Sequence, residues 1–112
     1  MAVAFVKNST KSVGEWTVID AYSTDVSTAQ ELLATKAGHN YLVKKITIDV
    51  ASSEDWIKIY NDADLQIGPI EPRSNIYRER FESALVFSGA INIQTKTDEK
   101  IHVTMQYRVY PS

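Results

Sequence analysis

The sequence predicts an all-β domain: an antiparallel two-sheet sandwich, jelly-roll-like, of seven to eight strands. Three observations predict it. Apolar and polar residues alternate with a period of two in several short stretches, most clearly YLVKKITIDV (41–50) and KIHVTMQYRVY (100–110). These stretches are rich in the β-branched and aromatic residues that suit a pleated, half-buried surface. Turn residues separate them at short intervals, which leaves no room for the crossover helices that parallel strands need. At 112 residues the chain is one domain, and a chain of this size buries roughly two-thirds of the surface its unfolded form exposes. It has no cysteine, so the core must hold without disulfides and thiolate chemistry is unavailable.

Taken in order, residues 1–14 read as an N-terminal arm or edge strand, with the sandwich proper over 15–112. Ala2–Val6 is apolar and Ser9–Gly14 polar and turn-like. EWTVIDAY (15–22) alternates, but both of its sides are partly apolar and its phase stays open. Within Thr24–Lys36, Ala29–Lys36 contains good helix formers. The run is only about two turns long and ends in Gly38–His39–Asn40, so a short strand leading to a turn is preferred. YLVKKITIDV is the clearest central strand. Strict alternation groups Leu42, Lys44, Ile46, Ile48 and Val50 on one face and Tyr41, Val43, Lys45, Thr47 and Asp49 on the other.

WIKIYN (56–61) turns Ile57 and Ile59 one way and Trp56, Lys58 and Tyr60 the other. LQIGPI (65–70) carries Pro69, which lacks an amide donor and so belongs to a short or edge strand. EPRSNIYRERFES (71–83) is polar and reads as a long loop with a few paired residues. ALVFSG (84–89) is a compact strand ending at a glycine. AINIQTKT (90–97) and KIHVTMQYRVY read as a hairpin with Asp98–Glu99 at its turn. Ile91, Ile93 and the odd-numbered residues from Ile101 to Val109 face the core, while His102, Thr104, Gln106, Arg108 and Tyr110 face out.

Composition narrows the function classes. The formal charge is −2, from 12 basic and 14 acidic side chains, which makes no electrostatic case for nucleic acid. No apolar run has membrane length, and the start of the chain lacks the pattern of a secretory signal. The carboxylate pairs Glu54–Asp55, Asp62/Asp64 and Asp98/Glu99 sit at predicted turns, where such residues cap amides and face water. Glycosidase chemistry needs two carboxylates held across a cleft by different elements. NDADLQIG (61–68) departs from a calcium loop at most positions. His39 and His102, without a thiolate, do not make a zinc site. Four scattered glycines form no phosphate loop. No catalytic residue, metal or cofactor is expected.

The aromatics are more informative. With Ile57 and Ile59 in the core, Trp56, Lys58 and Tyr60 form an outward group suited to an interface or, alternatively, to stacking on sugar rings. The reversed phase would instead put Trp56 in the core. Tyr77, Arg78 and Arg80, in the predicted loop, offer a second contact patch of residue types enriched at binding hot spots.

ELLATKAGHNYLVKKITIDVAS (31–52) and FESALVFSGAINIQTKTDEKIHVTMQYRV (81–109) resemble segments of small jelly-roll structural proteins of bacteriophage virions. The first has a short strand, a glycine turn and a long apolar strand. The second has an apolar strand, a glycine turn and a closing pair of strands. The resemblance covers Ala29 to Val109. Similar patterns occur in tumour-necrosis-factor-like trimers and in fibre heads. This chain is richer in charge and aromatics over WIKIYN and EPRSNIYRERF. The resemblance implies a non-enzymatic protein of the virion, assembled in the host cytoplasm, used in capsid decoration, a head fibre or a tail. It further implies a homotrimer touching the major capsid protein or another virion protein, with a glycan or receptor as the alternative ligand and no nucleic acid or membrane partner. Val3, Phe5 and Val6 would then be arm contacts on a neighbour, and deletion of residues 1–12 would weaken attachment and leave the fold intact.

Overall fold

The structure, a computed structural model, describes residues 3–51, 56–71, 75–96 and 98–111, with Val13 described by its backbone alone. Among them are nine strands: β1 (Val6–Val13), β2 (Trp16–Ser23), β3 (Gln30–Leu33), β4 (His39–Val50), β5 (Ile57–Asn61), β6 (Asp64–Ile70), β7 (Ile76–Phe87), β8 (Ile91–Thr95) and β9 (Ile101–Pro111). They form a five-stranded sheet, β1-β2-β9-β4-β7, and a four-stranded sheet, β3-β8-β5-β6. Every pairing is antiparallel. The pairs β2·β9, β3·β8, β4·β7 and β5·β6 trace one long hairpin whose tip is the β5–β6 turn. That hairpin is rolled so that β9 also meets β4 and β8 also meets β5, which is the winding of a jelly roll. The additional strand is β1. The stretch Ser9–Gly14 that reads as a turn is mostly strand, folded back on β2 through Gly14 at φ +64°, a conformation glycine adopts without penalty.

The core lies between the sheets. Ile19 and Ala21 come from β2, Ile57 and Ile59 from β5, Ile91 and Ile93 from β8, and Ile101, Val103 and Met105 from β9, all at 1% exposure or less. Phe87, Ile46, Ile48, Val43, Tyr41, Val50, Leu32, Leu33 and Val26 complete it. The phase that places Ile57, Ile59 and the odd-numbered start of β9 inward therefore holds, and it settles β2 on its odd-numbered face. Around Val43, Ile59, Phe81 and Phe87 the space between the sheets admits no water-sized molecule.

Three expectations are corrected. First, β4 does not keep one face. Tyr41 and Val43 point inward, and then Ile46, Ile48 and Val50 do. Val43 pairs with Tyr107 and Lys45 with Gln106, so Lys44 is an extra residue, a β-bulge that reverses the alternation. Leu42 therefore does not share the buried face of Ile46, Ile48 and Val50. Second, EPRSNIYRERFES holds more strand than the few paired residues expected of it. Ile76–Arg80 pairs with Lys45–Asp49 at the start of a 12-residue β7. Its charged side chains disguise it, because an edge strand needs little apolar surface. Third, β8 and β9 are not a hairpin. They lie in opposite sheets, β8 between β3 and β5 and β9 between β2 and β4. Both designs present odd-numbered residues to the core, so alternation does not separate them.

The tip of the long hairpin is tied to the β7–β8 corner. Asp62, at φ +53°, accepts the Ala90 amide (2.9 Å) and the Thr35 hydroxyl (3.3 Å) on Oδ1. Its carbonyl accepts from Asn92 (2.8 Å), and Asn61 Oδ1 accepts the Gly89 amide (2.8 Å). The acidic NDAD turn thus caps a neighbouring corner.

Candidate interaction faces

Trp56, Lys58 and Tyr60 line the outer side of the four-stranded sheet. The Lys58 ammonium stands over the Trp56 ring, 4.4 Å from its centroid. The Tyr60 hydroxyl donates to Gln94 Oε1 (2.7 Å), and Gln94 donates to the Ser27 carbonyl (2.9 Å). One aromatic face is therefore covered by a cation, and the phenol tip is committed across β5 and β8.

Tyr77, Arg78 and Arg80 do not form one patch. Tyr77 sits opposite the buried Ile48 and packs against the core. Burial, and then the charge of Glu79, pushes its hydroxyl pKa up to about 12. Arg78 and Arg80 oppose Thr47 and Lys45 and point to the other side of the five-stranded sheet, away from Trp56. At the N-terminus, the Val3 amide donates to the Asp25 carbonyl (2.6 Å) and the Val3 carbonyl accepts from the buried Ser23 hydroxyl (2.5 Å). Phe5 packs on this chain's own core, while Val3 and Val6 remain more than 40% exposed.

The face that sequence reasoning missed is the outer side of the five-stranded sheet. Strand register arranges it in rows. One row runs Val6, Tyr22, His102, Asp49, Ile76, from β1 to β7. The next holds Ser9, Asp20, Thr104, Thr47 and Arg78. His102 lies between two carboxylates, with Nε2 against Asp20 and Nδ1 3.8 Å from Asp49. Thr104 donates to Asp20 (3.3 Å). A hollow of about 360 Å³ lined by Asn8, Tyr22, Asp49, Lys100 and His102 opens beside them.

The third row is Lys11, Val18, Gln106, Lys45, Arg80. Beyond it lie Arg108, Leu42 and Val86. The bulged Lys44 reaches over the Trp16 ring (5.4 Å), and Arg108 contacts Glu15 (3.1 Å) and the Tyr110 ring (5.6 Å). Lys11, Lys44, Lys45, Arg78, Arg80 and Arg108 place half of the chain's 12 cations on this one face, so its field is set apart from the acidic whole. No local pattern announces the row, because its members come from five separate segments. Four of the exposed large apolar side chains also ring this face: Val6 and Ile76 at one end, Val86 and Tyr110 at the other.

Among the described residues, no group of three or more histidine, aspartate or glutamate side chains is placed to hold a metal ion. The chain matches no family model, no curated protein and no solved structure.

Proposed function

We propose that this chain is a non-enzymatic structural and assembly protein that works through contacts with copies of itself and with a neighbouring shell protein. The observation that carries this reading is where the adhesive side chains are. Around Val43, Ile59, Phe81 and Phe87 the interior admits no water-sized molecule, while Val6, Ile76, Val86 and Tyr110, each at least 38% exposed, ring the outer face of the five-stranded sheet. Large apolar groups left at a surface beside rows of charged side chains are suited to association. The particle is a bacteriophage virion on the resemblance of Ala29–Val109 to small virion jelly rolls, with decoration or a fibre as the role.

Native mass spectrometry of the purified chain, alone and with empty capsids of its phage, tests the reading. A defined oligomer, or stoichiometric capture by the shell, is the expected result. A protein that stays monomeric up to the highest soluble concentration and binds no shell overturns it.

A further inference from the structure

We infer that the outer face of the five-stranded sheet carries an oxyanion site, built on Lys45, Arg78 and Arg80, whose ligand is a sugar bearing a sulfate or phosphate ester. The site is complete in a single copy and does not rest on the assembly reading.

An unfavourable pairing is the first support. Lys45 on β4 and Arg80 on β7 are direct cross-strand partners, and the next outward pair is Thr47 and Arg78. Like charges placed directly opposite one another destabilise a sheet. Arg78 and Arg80 stand about 7 Å apart along the same side of β7, so three cations share one small area. Among the described residues, none of the three has a carboxylate within ion-pair distance. Glu79 lies between the arginines in sequence but on the other side of β7, where its charge acts on Tyr77. Asp20 is engaged by His102 and Thr104. Lys44 and Arg108 are engaged as well, on the Trp16 ring and on Glu15. The charge left over is cationic and concentrated at Lys45, Arg78 and Arg80. A bound dianion turns their repulsion into attraction, and two guanidinium forks offer the bidentate geometry that sulfate and phosphate oxygens accept.

The groups beside the cations select what carries the anion. A hollow of about 180 Å³ is lined by Lys45 together with Val18, Thr47, Thr104 and Gln106. Among the described residues, the Thr47 hydroxyl and the Gln106 amide have no side-chain hydrogen bond. They therefore offer both donors and acceptors to the hollow, which suits the hydroxyls of a sugar ring. No aromatic side chain lines it, whereas single-stranded nucleic acid is held by aromatic platforms under its bases. Lys11 continues the row beyond Val18, three strand spacings or about 14 Å from Lys45. A longer saccharide laid across the strands meets this second cation.

The experiment titrates the full chain at low salt and follows its backbone amides by NMR. The probes are a hexose phosphate, a hexose sulfate, the plain hexose, inorganic phosphate and inorganic sulfate, with a thymidine tetranucleotide and tetraglutamate as competing anion classes. At least one ester is expected to shift the amides around Lys45, Thr47, Arg78, Arg80 and Gln106. It is expected to bind at least tenfold more tightly than the plain hexose, the free ions, the tetranucleotide or the peptide. The tighter ester identifies the anionic group. Lys45→Gln/Arg80→Gln is expected to weaken that binding at least tenfold, and Lys58→Gln on the opposite sheet to leave it unchanged. The double variant should keep its urea midpoint, because it loses a repulsion and no contact. Free ions that bind as tightly as the esters overturn the sugar, and so does equal binding of the tetranucleotide or the peptide. Shifts confined to another face, binding that survives the double variant, or no binding at all overturn the site. Each of these results leaves the assembly reading standing, since native mass spectrometry decides that separately.

Discussion

Replacing Asp62 separates two contributions to the corner where the tip of the rolled hairpin meets β7 and β8. Asp62→Ala removes the acceptor of the Ala90 amide, and Ala90 is only 6% exposed. Loss of a hydrogen bond to a charged group costs about 1.5–3 kcal/mol. It also places an alanine at φ +53°, where a β-carbon costs about 1–2 kcal/mol and an aspartate or asparagine is better tolerated. The expected destabilisation is about 3–4 kcal/mol, a large share of the 5–15 kcal/mol typical of a domain. Asp62→Gly removes the backbone penalty but not the hydrogen-bond loss and is expected near 2 kcal/mol. Asp62→Asn keeps both the acceptor and the tolerance of positive φ and is expected below about 1 kcal/mol. Urea denaturation followed by tryptophan fluorescence measures all three, and a loss of about 3 kcal/mol moves the midpoint by about 1–3 M at ordinary slopes. An alanine variant as stable as the asparagine variant would refute the capping role of the carboxylate.

Gly89→Ala is expected to destabilise the same corner by about 1–3 kcal/mol, because a β-carbon there would lie 1.9 Å from Asp62 Oδ2. In the Asp62→Ala background the added cost should shrink, and a double-mutant cycle by urea melts reads that coupling. Alkali should destabilise the domain through Tyr77. Its folded-state pKa of about 12 exceeds the ordinary value of 10.0, so the unfolded chain ionises first and stability falls as pH rises from about 10 to about 12. Tyr77→Phe should flatten that fall in urea midpoints measured across this range. Part of the slope persists, because burial also raises the Tyr41 and Tyr107 hydroxyls.

The placement of the candidate surface residues was legible only where a single strand carries them. Lys58 and Tyr60 alternate with two buried isoleucines and turn outward as the period requires, with the Trp56 ring under the Lys58 ammonium. Tyr77, Arg78 and Arg80 looked like one patch because they are near in sequence, yet a strand sends neighbours to opposite faces. The row Lys11–Val18–Gln106–Lys45–Arg80 had no signature, since cross-strand neighbours are up to 88 positions apart.

By itself the sequence determined the class and most of the core. Alternation in β4, β5, β8 and β9 is a local property, set by side chains that must leave water on one face, and it survives without knowledge of partners. Only the tertiary structure decided which strands pair, where Lys44 bulges and reverses the face of β4, and how β8 and β9 divide between the sheets. Those choices depend on closing two hydrogen-bonded ladders around one apolar volume, and a period of two is compatible with more than one such closure.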